Sequence, residues 1–123
     1  MAHYVLICGG RDFDDRERVF GVVEFLSRFY GTELRIMHGG ARGADSLAGE
    51  AAEMLGIKYR VFPADWNQHG KAAGSIRNAE MRAYLEMCRS KGHTVQVMAF
   101  PGGNGTRDMV NRAESVEITV DHV

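Results

Sequence analysis

Three apolar segments of this 123-residue chain each run directly into a glycine cluster, and this repeated pattern constrains the fold more than any other feature. The clusters begin at Gly9, Gly39 and Gly102, and a segment of helical character follows each one. Such a series is typical of strand–loop–helix units in a parallel sheet. Strand ends that precede helices share one edge of a parallel sheet, so the three clusters are expected to meet there.

The hydrophobic periodicity along the rest of the chain gives the order βαβαβαβαβ. It predicts strands at residues 4–8, 33–38, 59–62, 94–100 and 116–120, the last as an edge strand. Helices are predicted from a cap at Asp14 or Asp15 to about residue 30, and at residues 44–55, 75–91 and 106–114. The predicted fold is therefore α/β: one domain over residues 1–123, with a mostly parallel sheet of five or slightly more strands and helices on both faces.

Composition and charge narrow the function classes. The net charge of −1 implies no general attraction to polyanions, so a nucleic-acid partner is not expected. No stretch is apolar enough for a membrane span, no signal peptide is visible, and the two cysteines suggest no disulfide framework, so a cytoplasmic protein is expected. Metal-ligand spacing, the P-loop and the dinucleotide fingerprint are all missing, so no metal or cofactor is predicted.

The glycine loops have the chemistry of anion binding. Backbone N–H groups at a helix start lack helical partners, and glycine lets an anion approach them closely. Arginine outnumbers lysine 12 to 3, and one arginine lies in or directly after each glycine cluster, as Arg11, Arg42 and Arg107. Phosphate contacts are predicted from the loop at residues 102–106, in which Thr106 is expected to cap the helix. That loop comprises Gly102, Gly103, Asn104, Gly105 and Thr106.

The two earlier loops are predicted to complete the same site. Their candidate ligand contacts are Gly9, Gly10, Arg11, Gly39, Gly40, Arg42 and Gly43. Asp45 follows the second loop, where it either caps the helix or accepts a bond from a sugar hydroxyl. A purely structural alternative for that loop is a tight turn that needs glycine for positive φ.

A long irregular connection is predicted at residues 63–75, and it carries further candidates. Trp66, the only tryptophan, either stacks on a base or covers the site, or is simply a partly buried anchor. Phe13 and Lys71 are predicted to share the role of base contact or lid. Arg77 and Asn78 follow in the first helical turn, where a cation opposes the dipole, so Arg77 is expected to face an anion. The alternative is an ion pair with Asp65 or Glu80.

The combined motifs resemble the YspA-like, cpYpsA-related branch of the SLOG superfamily. The resemblance rests on Gly-Gly-Arg-Asp-Phe at residues 9–13, His-Gly-Gly-Ala-Arg-Gly-Ala-Asp at 38–45, Pro-Ala-Asp-Trp at 63–66, Gly-Lys-Ala-Ala-Gly at 70–74, Ile-Arg-Asn at 76–78 and Phe-Pro-Gly-Gly-Asn-Gly-Thr at 100–106. It covers nearly the whole chain. It implies a Rossmann-like three-layer sandwich that binds a nucleotide or nucleotide-derived ligand, in a homodimer or higher oligomer.

The same superfamily includes the Lonely Guy enzymes, which cleave the N-glycosidic bond of nucleoside monophosphates. Arg77 matches the arginine of their signature, and the glycines and threonine at 102–106 match their phosphate loop. The family's catalytic glutamate is replaced by Met109. If this chain is a hydrolase, the resemblance makes Arg77 and Asp108 the catalytic candidates, and Asp45 or Asp12 are the other carboxylates that could take the place of the missing glutamate.

Three hypotheses follow for the function. The first is a binding or sensor domain for a nucleotide-derived ligand. The second is an N-glycosidic phosphoribohydrolase that uses the same phosphate loop. The third, by analogy with the superfamily member DprA, is a nucleic-acid module, which the balanced charge disfavours.

Overall fold

The computed structural model describes all 123 residues and contains one five-stranded sheet in which every strand pair is parallel. The strands are β1 (His3–Cys8), β2 (Leu34–His38), β3 (Lys58–Val61), β4 (Thr94–Ala99) and β5 (Val120–His122). Their spatial order is β3-β2-β1-β4-β5, so β1 is central and its neighbours run outward in two directions.

Five helices connect the strands: α1 (Arg16–Tyr30), α2 (Ala44–Leu55), α3 (Trp66–His69), α4 (Ala73–Ser90) and α5 (Asn104–Glu114). Asp15 is the N-cap of α1 and its carboxylate accepts from the N–H of Arg18, as the sequence predicts. The connection at 63–75, predicted to be irregular, instead contains α3 and a 3₁₀ turn at Gly70–Ala72. None of the helices combines the length and apolar character that crossing a bilayer requires.

Alternating residues of the central strand divide the core into two layers. Val5 and Ile7 face α1 and α2, and they pack in one buried cluster with residues of both helices. Leu6 and Cys8 face the other side and pack in a second cluster with residues of α4 and α5. The chain thus forms the predicted Rossmann-like three-layer sandwich.

The last strand lies later in the chain than its pattern predicts. Residues 116–118 wrap around the end of α5 instead, where Ile118 donates its N–H to the carbonyl of Ala113 and buries its side chain. Glu117 takes a positive φ of 60° in that turn. The apolar alternation from residue 116 therefore serves the helix end, and β5 begins only at Val120, as a parallel edge strand beside β4.

The direction of strand order reverses between β1 and β4, and the loops that leave these two strands are joined there. Gly10 donates its N–H to the carbonyl of Pro101 at 2.8 Å, and Ala44 donates to the carbonyl of Gly10 at 3.2 Å. All three glycine loops consequently meet at one edge of the sheet. This is the position at which open parallel sheets bind their ligands.

Candidate functional site

A cavity of about 940 Å³ opens at this reversal point, between the loops after β1 and β4 and the start of α4. Its size lies in the range of small-molecule sites. Most of the predicted site residues line it. They are Gly9, Gly10, Arg11, Phe13, Asp45, Trp66, Lys71, Arg77, Asn78, Gly102, Gly103, Asn104, Gly105, Thr106 and Asp108.

The loop at residues 102–106 presents five successive N–H groups that donate to no backbone acceptor. The N-cap of α5 is Gly103, not Thr106 as predicted, because the helix already begins at Asn104. The Thr106 side chain instead packs against Gly102, where an added Cβ would overlap its hydroxyl and lie 2.7 Å from the Gly10 nitrogen. Free N–H groups at a helix N-terminus form a preorganised acceptor for an anion.

Most of the second glycine loop, at residues 39–43, lies outside the lining of the cavity. Gly39, Gly40, Gly43 and Arg42 do not line the cavity, although Ala41 and Asp45 do. Gly40 and Gly43 have φ values of 71° and 85°, and Gly43 packs against the carbonyls of the first loop. Arg42 is exposed and lies 3.5 Å from Asp12. The tight-turn alternative describes these glycines best, and direct ligand contact from the four residues stays a prediction.

Asp45 is the buried charge at the base of the cavity. Its carboxylate accepts from the N–H of Gly39 at 2.9 Å and of Ala41 at 3.4 Å, so it closes the loop that precedes α2. Burial raises the pKa of Asp45 from 3.8 to about 6, while the bond from Gly39 and the charge of Arg77 act to lower it. This carboxyl therefore titrates close to neutral pH.

Arg77 and Asn78 tie the start of α4 to two loops. Arg77 donates from Nη1 to the carbonyl of Gly39 and from Nε to Oδ1 of Asn78 at 3.0 Å. Neither predicted ion pair, to Asp65 or Glu80, forms. The Asn78 amide in turn donates to the carbonyl of Gly105 at 3.2 Å and so fixes the phosphate loop. Three guanidinium N–H groups of Arg77 stay free for another acceptor.

The carboxylate of Asp108 lines the cavity but is already held by two donors. Its Oδ2 accepts from Asn78 at 3.0 Å and from Arg112 Nε at 2.9 Å. Met109 is 1% exposed and packs in the core cluster below α4 and α5. This is the position to which the sequence resemblance assigns the catalytic glutamate of the Lonely Guy enzymes. No three His, Cys, Asp or Glu side chains are grouped closely enough to hold a metal ion.

Trp66 and Phe13 border the cavity in different ways. Trp66 begins α3, is 49% exposed and faces the Arg11 guanidinium. Phe13 is half-buried, and its ring packs 5.2 Å from that of Phe100 in the core. Lys71 lies exposed in the 3₁₀ turn after α3. Trp66 is therefore the aromatic face with the most free surface.

Several cavity residues were not among the predicted ligand contacts. Ser75 and Gly74 lie at the start of α4, and Cys8 ends β1 at the cavity floor. Burial raises the pKa of the Cys8 thiol to about 12, so it stays protonated and is a poor nucleophile. The Gly-Ser pair at the start of the predicted helix was a sequence signal for the first two. Nothing in the sequence marks the cysteine as a cavity residue.

The buried carboxyl of Asp45 predicts an unusual pH dependence of stability. Because its pKa is about 6 when folded and 3.8 ordinarily, the folded state binds the proton more tightly than the unfolded state. Its contribution to the free energy of unfolding should rise by up to about 3 kcal/mol as pH falls from about 7 to 4. Urea denaturation of wild type and of Asp45→Asn between about pH 4 and 7 isolates the contribution of Asp45 to the free energy of unfolding. If the free energies of the two proteins change in parallel with pH, the prediction is wrong.

Comparison with known proteins places the chain in a family. The model of the YspA, cpYpsA-related SLOG family matches residues 3–69, which include the first two glycine loops and Trp66. Gene 61 protein of Mycobacterium phage D29 is 38% identical over 126 residues, covering 94% of this chain and 92% of that protein.

The fold also resembles that of a solved structure, DNA processing protein A (DprA) from Streptococcus pneumoniae. The two align with a TM-score of 0.58 and 17% identity over 98% of this chain. The chain spans 58% of that structure's length, and the similarity concerns the fold. The resemblance in the sequence motifs is confirmed: the chain belongs to the YspA, cpYpsA-related SLOG family.

Proposed function

We propose that this protein binds a nucleotide or nucleotide-derived ligand in the cavity at the reversal point of the sheet, as a sensor or processing domain. Family membership supports a nucleotide- or nucleic-acid-related function. The observation that carries the finer proposal is the run of free N–H groups at residues 102–106, which faces a cavity also lined by Arg11, Lys71 and Arg77.

The phosphate is proposed to bind to the N–H groups of the loop from Gly103 to Thr106. The positive end of the α5 dipole adds to their attraction for an anion. The bond from Asn78 to the Gly105 carbonyl holds this loop in place before any ligand arrives. Preorganised donors bind without an ordering cost, which favours affinity for a phosphate.

Arg77 is the proposed clamp on the same phosphate. Two of its N–H groups are engaged by Gly39 and Asn78, which fix the direction of the guanidinium. Burial lowers the pKa of Arg77, although Asp45 acts to raise it, so a ligand anion would stabilise the charged form. Homodimer or oligomer formation stays a separate proposal from the resemblance alone.

Ligand binding without cleavage is the expected behaviour toward nucleoside monophosphates. Glycosidic cleavage needs a carboxylate that stabilises positive charge or activates water, whereas the chain has Met109 in place of that glutamate and Asp108 is bound to Asn78 and Arg112. We therefore expect at least one of AMP, GMP, CMP and UMP to raise the Tm of the protein. Reversed-phase chromatography of the same mixture should detect no free base.

Two other outcomes of that assay identify different functions. Base release that disappears in Asp108→Asn would establish the phosphoribohydrolase alternative. No rise in Tm with mononucleotides, together with single-stranded DNA binding that persists in Arg77→Ala, would support the nucleic-acid alternative and end the present proposal. DprA is by name a DNA processing protein, and its similarity to this chain is one of fold.

A further inference from the structure

Arg11 and Trp66 approach each other across the cavity from separate parts of the chain. Arg11 lies in the loop after β1, and Trp66 is the first residue of α3. The Arg11 Cζ atom lies 5.4 Å from the centroid of the indole ring, within the range of a cation–π contact. Gly74 lies beside the edge of the ring, since a Cβ there would be 3.6 Å from the indole Cη2. One face of Trp66 is thus occupied by a guanidinium.

The Arg11 charge has no carboxylate partner in this position. Its neighbour Asp12 pairs with Arg42, and none of the six ion pairs includes Arg11. Arg77 lines the same cavity, and its pKa is lowered first by burial and also by the charge of Arg11. The two guanidinium groups therefore repel each other, and Arg11 forms no ion pair with any of the three carboxylates, of Asp12, Asp45 and Asp108, that also line the cavity. An anion in the cavity would relieve the repulsion.

We infer that Arg11 is a specificity-determining residue that exchanges partners when the ligand binds: it leaves the Trp66 face to the planar ring of the ligand and moves onto the ligand's phosphate. This inference rests on the proposed function. A guanidinium and a heteroaromatic ring are both flat and bind the same π surface, so the two compete for it. The exchange replaces a cation–π contact with a charge-assisted hydrogen bond and keeps the indole covered.

The exchange predicts which compounds the site prefers. A ligand with both a planar ring and a phosphate uses each freed group, because the ring takes the indole and the phosphate takes the guanidinium. A sugar phosphate leaves the indole bare, and a nucleoside displaces the guanidinium without giving it an anion. The favoured class is therefore a phosphorylated compound that carries a flat ring, and each half alone binds more weakly.

The test separates the two halves with AMP, adenosine and ribose 5-phosphate as probes. Trp66 is the only tryptophan, so its fluorescence reports the binding of a ring at that one position. Calorimetry measures the Kd of ribose 5-phosphate. Arg11→Met keeps the stem of the exposed side chain and removes its charge. We expect it to weaken ribose 5-phosphate binding about tenfold and to tighten adenosine binding about two- to fivefold. Arg11→Lys keeps the charge, so it should bind ribose 5-phosphate as wild type does. It lacks the flat guanidinium, so it should bind adenosine more tightly than wild type, as Arg11→Met does.

Arg28→Met is the matched control, because Arg28 lies on the exposed side of α1 and pairs with Glu24. If AMP binds, and Arg11→Met behaves as Arg28→Met does or changes both half-ligands in the same direction, the exchange is wrong and the proposed function stands. Adenosine that leaves Trp66 fluorescence unchanged while AMP binds would also overturn the exchange. If wild type binds none of the three probes and no nucleotide raises its Tm, the proposed function fails and the exchange fails with it.

Discussion

Replacing Gly43 by alanine is expected to lower the free energy of unfolding by about 3 kcal/mol or more. Gly43 has a φ of 85° and ψ of −129°, a backbone conformation that side chains disfavour. An added Cβ would overlap the carbonyl oxygen of Gly10 and lie 2.6 Å from that of Arg11. Both obstacles are backbone atoms in a loop joined to the Pro101 carbonyl, so neither can move without disturbing the site.

Urea denaturation of Gly43→Ala measures this effect, with Gly21→Ala as the matched control. Gly21 lies in α1, and a Cβ there would meet no atom within 4 Å. That substitution should raise stability by up to about 1 kcal/mol, because alanine favours the helix. Equal midpoints for the two variants would show that the second loop does not depend on contact with the first.

Replacing Gly103 by valine is expected to abolish the rise in Tm caused by a nucleotide while leaving the unliganded protein folded. Gly103 lines the cavity, its φ of −102° is negative, and a Cβ there would meet no atom within 4 Å. A side chain would then stand beside the free N–H groups where the phosphate is proposed to bind. At a hundredfold excess over Kd, the ligand should stabilise wild type by about 2.7 kcal/mol and the variant by none.

Thermal denaturation with and without the best mononucleotide measures this loss, and Gly103→Ala provides a graded control. Arg77→Ala is a less specific test, since it also removes the donor to the Gly39 carbonyl and the cation beside Asp45. An undiminished Tm rise in Gly103→Val would place the phosphate elsewhere. A large fall in the Tm of the unliganded variant would instead mean that Gly103 is required for folding.

The strand and helix order could be predicted because it depends on local pattern. The segments that end at Cys8 and His38 are short and apolar, and a glycine pair follows each. The end of the chain was harder, because the alternation at residues 116–120 suits a strand and a wrapped helix end equally well. Contact of Ile118 with the core below α5 decided between them.

The residues that line the cavity could be predicted in part for the same reason. Glycine and arginine at residues 9–11 and 102–107 indicate an anion site, but the loop at residues 39–43 is also rich in glycine and carries an arginine, and only Ala41 of that loop lines the cavity. Ligand-facing and structural loops are distinguished only by tertiary contact, because the carbonyls of the first loop lie against Gly43 of the second. Similarly, the spacing of Asp108 and Arg112, one helical turn apart in α5, predicts their ion pair. Nothing in the sequence predicts the hydrogen bond between Asp108 and Asn78, which joins α5 to α4.

A parallel α/β sheet with its glycine loops on one edge follows from local sequence pattern, because hydrophobic periodicity and glycine placement act over a few residues at a time. Three properties follow from tertiary contacts instead: which loops face the cavity, that the carboxyl of Asp45 is buried, and that Arg11 in the cavity forms no ion pair. Those properties depend on distances between residues far apart in the chain, such as Gly39 and Arg77 or Arg11 and Trp66, and packing fixes such distances only once the sheet has formed.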